Sequence, residues 1–181
     1  VTGVQTCALP IFLLMARAFP HSSFVGYDIS KYALTRAEER LRASGLRNAT
    51  FSDPRSTPLP GDHSVDLVTT FDCIHDMTHP AQMMRAIRSS LNEGGTWLLV
   101  DIKAHDSFSM NATKNPMASL MYGISVLSCM SSAMSTPDGA GLGTLGLSAG
   151  TAEQMTRDAG FSRFLRLDVD HAVNAFYEIR P

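Results

Sequence analysis

Four short apolar segments, each followed closely by an aspartate, constrain the fold of this chain more than any other feature. "FVGY" precedes Asp28, "NATFS" precedes Asp53, "SVDLVTTF" precedes Asp72, and "TWLLVDIKA" contains Asp101 near its end. Uninterrupted apolar runs of this length are typical of buried strands in parallel sheets. Helical patterns alternate with them. We therefore predict an α/β fold with a mostly parallel sheet, right-handed crossovers and helices on both faces.

Helical spacing of apolar residues marks the intervals between these strands. The expected helices cover residues 12–19, 31–44, 78–95 and part of 150–161. We predict N-caps at Ser30 for the second helix and Thr78 for the third, and a capping box of Thr151 and Gln154 for the fourth. The glycines expected to end the last three helices are Gly45, Gly94 with Gly95, and Gly160.

Residues 104–150 interrupt this alternation. They contain the uncharged run "MASLMYGISVLSCMSSAMST" at 117–136 and the glycine-rich segment "GAGLGTLG". Five serines in the first sixteen residues of that run disfavour membrane insertion, so we expect a helical cap over a pocket. After the last helix, "FLRLDV" and "AVNAFYEI" alternate in hydrophobicity and are predicted to pair as an antiparallel hairpin at the sheet edge.

Composition excludes several functional classes. The 181 residues are 44% apolar and 18% charged, and the net charge is -2, with Lys and Arg scattered singly. This gives no electrostatic footprint for nucleic acid or an anionic membrane, so a small-molecule partner is expected. Three cysteines form neither a CxxC pair nor a disulfide framework, which favours a reducing, cytoplasmic location.

The first eleven residues, "VTGVQTCALPI", resemble the in-frame translation of a sequencing-adapter oligonucleotide. We therefore expect residues 1–11 to be a non-native segment and natural sequence to begin near Phe12, leaving a fragment without its true N-terminus. The remaining residues, 12–181, are predicted to form one domain with 104–150 as a substrate-side insertion. A signal peptide is not indicated, because a basic n-region is absent and Pro10 interrupts the apolar stretch.

Acids at the carboxyl ends of parallel strands indicate a ligand site, because ligands bind outside those ends. Any single one of these acids could be a turn residue, but four on one rim favour a site. Asp28 is the strongest candidate, since an acid after the second strand of a nucleotide-binding sheet can accept two hydrogen bonds from a ribose diol.

These segments resemble the class I S-adenosylmethionine-dependent methyltransferases. "FVGYDIS" is similar to that family's ribose-binding strand end, "SVDLVTTFDCIHDM" to its fourth strand and substrate-facing loop, and "LNEGGTWLLVDI" to its fifth strand. "FDCIHDM", "VDIKA" and "GAGLGT" together resemble a bacterial subgroup that carries an N-terminal winged-helix-like domain. The resemblance implies a Rossmann-like sheet with an antiparallel C-terminal strand.

The resemblance also implies site residues and a cofactor. S-adenosylmethionine is the expected cofactor, and the expected cofactor-binding residues are Tyr27, Asp28, Ile29, Asp53, Phe71 and Asp72. For the acceptor, a small and apolar or aromatic molecule, the expected contacts are Asp76, His105 and Tyr122. A homodimer is one arrangement expected for the full-length protein.

Two departures from the family pattern stand out. The glycine-rich loop that should close the first strand would lie just before Phe12, where the adapter-like residues stand instead. The first strand is thus expected to be missing or replaced, and cofactor binding by this chain to be weak. The strand before Asp53 is about two residues shorter than usual, which makes its role toward the adenine amino group less secure than that of Asp28.

His75 is the candidate catalytic residue. Methyl transfer from a sulfonium is an in-line displacement, so alignment and exclusion of water dominate, but a hydroxyl or amine acceptor must also lose a proton. A histidine just after the fourth strand is placed to take it. The alternative is that His75 packs against the adenosine or caps the next helix. Asp72 either approaches the methionine amino group or is structural, and Asp76 either contacts the acceptor or caps the helix.

Other functions remain open from the sequence. A nicotinamide-dependent oxidoreductase also uses a strand-end acid to bind ribose, although the closing hairpin and the absence of a Tyr-x-x-x-Lys pair disfavour it. A truncated, non-catalytic scaffold is a further alternative. A metal site from His75, Asp76 and His79 is not expected, because Pro80 makes residue 79 a poor helical position.

Overall fold

The computed structural model describes residues 8–181, which form two units, one up to Leu59 and one from Pro60 onward. The expected adapter-derived segment lies mostly outside the described residues. Its last residues are inside, in a helix that begins at Ala8 rather than at residue 12. The prediction that the first strand is missing or replaced falls on residues outside the described range.

The first unit is a pair of parallel strands with two helices. Its elements are α1 (Ala8–Ala18), β1 (Phe24–Tyr27), α2 (Lys31–Ser44) and β2 (Ala49–Ser52). β1 and β2 pair in parallel along their whole lengths. The crossover through α2 is the connection that parallel strands require, so the sequence prediction for this unit is confirmed.

Local signals set the limits of α2 as predicted. The side chain of Ser30 accepts a hydrogen bond from the backbone N–H of Ala33 at 3.3 Å. Gly45 ends the helix with a φ of 70°, a left-handed conformation that glycine adopts without steric cost. Ala37 is the one buried residue of α2 among those the structure describes. In the same unit, the rings of Phe12 and Phe51 are in contact, with their centroids 4.8 Å apart.

The second unit is built on a four-stranded mixed sheet. Its strands are β3 (Val65–Phe71), β4 (Leu91–Ile102), β5 (Arg163–Arg166) and β6 (Asn174–Arg180), in the order β3-β4-β6-β5. β3 and β4 are parallel, and β6 is antiparallel to both of its neighbours. The predicted C-terminal hairpin is therefore confirmed. Its position beside β4 makes β6, rather than β5, the inner strand of the hairpin.

β4 carries the core of this unit. Trp97 and Leu99 are completely buried, and Trp97 stacks near Phe161 with ring centroids 5.5 Å apart. The indole N–H of Trp97 donates to Thr70 Oγ1 at 2.9 Å, which satisfies its polar atom inside the core. β3 is less buried than expected, since Leu67 is 46% exposed. An apolar run in the sequence thus indicated the strand correctly but overstated its burial.

The third helix is shorter than predicted. α3 spans Pro80–Ser90, and the residues expected to end it, Gly94 and Gly95, lie inside β4. Pairing with β3 explains this, because Leu91 already faces Val65 and the register shifts before Thr96. At Gly95 a Cβ would lie about 3.0 Å from the carbonyl of Asn92, so glycine permits this irregular stretch of β4.

Two predicted caps are wrong. His79, not Thr78, is the N-cap position of α3, and the Thr78 hydroxyl instead donates to the carbonyl of Ser132 at 3.1 Å. The last helix, α7 (Ala149–Asp158), is capped by Ser148, whose side chain accepts from the Thr151 N–H. At α3, the partner of the Thr78 hydroxyl lies far away in the sequence. At α7, the N-cap is Ser148, three residues before the predicted Thr151.

Residues 104–150, called the cap below, comprise α4 (Phe108–Lys114), α5 (Ala118–Ile124), a π-helical turn (Ser125–Cys129) and α6 (Met130–Ala133). That they cover a pocket remains a prediction. None of the helices that the structure describes is both long and apolar enough to span a membrane. The glycine-rich segment after α6 returns toward α7, and Gly143 and Gly141 adopt positive φ there.

Candidate active site

In the first unit, the predicted ribose acid follows β1 directly. Asp28 is half-buried, and its Oδ1 accepts a hydrogen bond from the backbone N–H of Ser30 at 2.7 Å. Burial raises the pKa of Asp28, while the backbone N–H groups of Ser30 and Ile29 partly counteract this. Its predicted neighbours differ in exposure: Tyr27 is half-buried, and Ile29 is 52% exposed.

Asp53 follows β2 and is engaged by an arginine. Arg55 Nε lies 2.9 Å from Asp53 Oδ1 and Arg55 Nη2 lies 2.6 Å from Oδ2, a bidentate ion pair. These hydrogen bonds lower the pKa of Asp53 to about 2. Arg55 also donates to the carbonyl of Ile29 at 2.7 Å, so the ion pair ties the loop after β1 to the loop after β2. The predicted adenine contact of Asp53 remains a prediction.

In the second unit, the ends of β3 and β4 lie side by side. Phe71 pairs with Val100, and the N–H of Asp72 donates to the Val100 carbonyl at 2.9 Å, so Asp72 and Asp101 leave neighbouring strands together. Asp72 has a φ of 47°, unusual for a residue with a side chain, and accepts a hydrogen bond from the Asn174 amide. Burial, followed by the charge of Asp101, raises the pKa of Asp72.

The centre of this unit's site is a buried histidine–aspartate pair. His75 is 3% exposed and Asp101 is 1% exposed. The Nδ1 atom of His75 lies 2.6 Å from Asp101 Oδ1, and because a carboxylate only accepts, Nδ1 carries the proton. Burial would lower the pKa of His75, but the hydrogen bond and charge of Asp101, with smaller contributions from Asp76 and Cys129, raise it to about 9.

The second ring nitrogen of His75 faces the cap. Its Nε2 lies 3.5 Å from the sulfur of Cys129, which ends the π-helical turn, and the hydroxyl of Thr144 donates to the same sulfur at 3.1 Å. A chain of side-chain hydrogen bonds thus runs from Thr144 through Cys129 and His75 to Asp101. All four residues are buried.

The three residues predicted to contact the acceptor lie at different depths. Asp76 ends the 3-10 turn Ile74–Asp76 and is half-buried, and burial raises its pKa. The backbone of His105 is held at both its N–H and its carbonyl by the buried amide of Asn111, at 2.9 and 3.0 Å. Tyr122 packs against Phe108, with ring centroids 5.1 Å apart. Their predicted roles toward an acceptor remain predictions.

A triad that includes His79 is not what the structure assembles. Among the described residues, the only group of three donors close enough for an ion is His75, Asp76 and Cys129, whose ligand atoms lie within 4.8 Å of one another. His75 and Cys129 are already hydrogen-bonded to each other and to Asp101 and Thr144.

Sequence reasoning missed three residues of this cluster. Asp101 was noted as a strand-end acid but not as the partner of His75, and the motif "GAGLGT" contained Thr144 without indicating its contact. Cys129 sits in a run that reads as apolar. Only the parallel pairing of β3 with β4, and the return of the cap over His75, bring them together.

Comparison with known families decides the identity of the fold. The family model of the methyltransferase domain matches residues 3–97, more than half of the chain. The chain belongs to the methyltransferase domain family. A search of the curated proteins finds no match. The predicted family is confirmed, and the fit disfavours the oxidoreductase alternative.

Solved structures share the fold of this methyltransferase domain. A candidate O-methyltransferase from Nostoc punctiforme has a TM-score of 0.71 at 18% identity, covering 96% of this chain and 50% of its own. The apo form of the S-adenosylmethionine-dependent methyltransferase SibL has a TM-score of 0.65 at 14% identity, covering 98% and 48%. A S-adenosylmethionine-dependent methyltransferase from Aquifex aeolicus has 0.56 at 17%, covering 88% and 69%.

These likenesses confirm the predicted Rossmann-like fold with its antiparallel C-terminal strand. The chain spans about half the length of the first two structures.

Proposed function

We propose that this domain transfers a methyl group from S-adenosylmethionine to a hydroxyl or amine of a small, apolar or aromatic acceptor. The observation that carries the proposal is the buried His75–Asp101 pair, whose histidine lies shortly after strand β3. This chain belongs to the methyltransferase domain family, which makes the pair a candidate for the proton transfer. Relatives of the same fold are described as S-adenosylmethionine-dependent or as solved with S-adenosylhomocysteine, which supports the choice of cofactor.

The residue types at the strand ends support the choice of this cofactor. A half-buried acid after β1, Asp28, can accept two hydrogen bonds from a ribose diol, and Tyr27 and Ile29 flank it. From the family resemblance alone, Phe71 and Asp72 at the end of β3 are further proposed cofactor-binding residues, and the Asp72 carboxylate is suited to the methionine ammonium. When bound, S-adenosylmethionine supplies an electrophilic methyl carbon and a neutral thioether leaving group.

The role of His75 follows from proton balance. A hydroxyl or amine acceptor that would receive the methyl group must lose one proton. Nε2 of His75 takes it, while Nδ1–H stays on Asp101 and the carboxylate stabilises the imidazolium that forms. The apolar cap excludes water from the reacting atoms, which strengthens these interactions.

The acceptor class is inferred from the cap. Helices α4 and α5 carry the contacting rings of Phe108 and Tyr122 together with Met110, Leu120 and Met121, and Lys114 is their one charged residue. His105 and Asp76 are the polar residues other than Tyr122 among the predicted acceptor contacts. Their mixture with aromatic rings favours a phenol or aromatic amine over a charged acceptor.

A direct assay tests the proposal. The protein in its full natural length is incubated with methyl-labelled S-adenosylmethionine and a panel of phenols, catechols, anilines and aliphatic amines. We expect label transfer to at least one aromatic acceptor, and a loss of roughly 100-fold or more in His75→Gln. Binding of the cofactor without transfer to any acceptor class would support instead the non-catalytic scaffold alternative.

A further inference from the structure

The Nε2 edge of His75 is covered by a thiol from the cap. Cys129 Sγ lies 3.5 Å from Nε2, and both residues are 3% exposed. A general base must come within about 3 Å of the atom whose proton it removes. In this arrangement the thiol, rather than an acceptor, holds that place.

The thiol is held there by the glycine-rich segment. Thr144 donates its hydroxyl to Cys129 Sγ at 3.1 Å and its backbone N–H to Ser125 Oγ at 3.1 Å. The N–H of Gly143 donates to the carbonyl of His75 at 3.1 Å. Three hydrogen bonds therefore fasten residues 143–144 to both ends of the π-helical turn and to the backbone of the base.

The middle of the turn that carries Cys129 is exposed to solvent. Within Ser125–Cys129, only the first and last residues are buried, while Val126 is 73% exposed and Leu127 is 84% exposed. π-helical turns are rare, appear mostly as single turns inside α-helices, and are frequent at functional sites. A local rearrangement of this turn can withdraw the thiol without unfolding the sheet.

We propose that Cys129 is a positioning residue of the acceptor site: its thiol guards Nε2 of His75, and an acceptor hydroxyl or amine takes its place there. This deepens the proposed function and rests on it. The group that an acceptor displaces is a small, weakly polar S–H. The position therefore suits a single phenolic hydroxyl or aromatic amine. This group would contact His75 and Thr144 as the Cys129 sulfur does.

Chemical labelling of the imidazole tests the guard without knowledge of the acceptor. Diethyl pyrocarbonate carbethoxylates neutral imidazole, and peptide mass spectrometry quantifies the reaction at His75 against the five other histidines. A pH series gives the limiting rate for the fully neutral ring, which separates access to Nε2 from proton affinity. The variants are Cys129→Ala and Cys129→Ser, with Cys73→Ala as the matched control, since Cys129 and not Cys73 is the free cysteine whose thiol lies at Nε2.

We expect Cys129→Ala to raise the limiting rate at His75 by about ten-fold, because a local opening step is no longer needed. Cys129→Ser keeps a donor and acceptor in place and should stay close to wild type, as should Cys73→Ala. An unchanged limiting rate in Cys129→Ala, with its melting temperature near that of wild type, would overturn the proposal.

A measurement on the unaltered protein covers the case in which Cys129→Ala does not fold. If one opening exposes both groups, Cys129 alkylation by iodoacetamide and amide exchange of Thr144 must report the same opening equilibrium. If the opening equilibrium derived from Cys129 alkylation is at least ten-fold more favourable than that derived from exchange of the Thr144 amide, the proposal is contradicted. The affinity for S-adenosylhomocysteine, measured in the same samples, tests the proposed function separately. If the wild type does not bind it, the proposed function is wrong, whatever the labelling rate at His75.

Discussion

His75 and Asp101 are 26 residues apart in the chain, yet His75 Nδ1 lies 2.6 Å from Asp101 Oδ1 inside the protein. The pair exists because β3 and β4 are parallel neighbours whose carboxyl ends meet at one edge of the sheet. Since the ring is almost fully buried, its charge depends on this one carboxylate more than on solvent. Protonation of His75 should thus control both turnover and stability.

Turnover should rise with pH. The pKa of His75 is raised to about 9, so the ring is protonated at neutral pH and cannot take the acceptor proton. We expect kcat/KM to increase about ten-fold per pH unit below the pKa of His75 and to level off above it. Initial rates with any acceptor from the panel, and NMR titration of the His75 ring, measure this independently.

Asp101→Asn should move that profile to lower pH. Burial then dominates and lowers the pKa of His75, while the remaining groups that face the ring, Asp76, Asp72 and Cys129, only partly compensate. We also expect a lower plateau, because an amide no longer fixes the tautomer. Asp76→Asn is the control and should shift the midpoint less. A midpoint unchanged in Asp101→Asn would refute the role of the pair.

Stability should have the opposite pH dependence. The folded pKa of His75, about 9, lies above the ordinary value of 6.5, so the pair contributes stability that is fully present below about pH 6.5 and is lost as pH rises through 9. The loss is on the order of 3 kcal/mol at most. Urea unfolding at several pH values measures it, and a slope that persists in His75→Gln would assign it to another group.

Gly143→Ala should destabilise the cap. Gly143 has a φ of 72°, and an added Cβ would lie 2.4 Å from Ser125 Oγ and 3.0 Å from the sulfur of Met130. We expect a loss of about 1–3 kcal/mol in the free energy of unfolding. Gly123→Ala is the matched control: its Cβ would meet nothing within 4 Å in helix α5, so stability should rise by about 0.5–1 kcal/mol. Equal stabilities in urea for the two variants would contradict this account.

Local patterns in the sequence predicted most of the fold. The helix over 31–44 was predicted with both ends because Ser30 and Gly45 act through bonds within four residues, and the strands because apolar runs follow a short period. The end of α3 was wrong because pairing with β3 extends β4 back to Leu91, a preference of the tertiary structure that no local signal carries.

The candidate site was predictable only in part. Strand-end positions marked Asp28 in the first unit and Asp72 and His75 in the second, because each follows the carboxyl end of a strand. Cys129 was not found, because its contact with His75 spans 54 residues and depends on how the cap folds back. Spacing in a sequence indicates which residues leave a strand, but not which distant side chain will face them.

Binding of S-adenosylhomocysteine is the measurement that tests the central claim most directly. Isothermal titration calorimetry on the protein in its full natural length should give one saturable site, and Asp28→Ala should weaken it by about 1.5–3 kcal/mol, roughly 10- to 150-fold, the cost of lost hydrogen bonds to a charged group. A parallel titration with a nicotinamide dinucleotide should give no binding. Binding of the nicotinamide dinucleotide in place of S-adenosylhomocysteine, or of neither, would contradict the account.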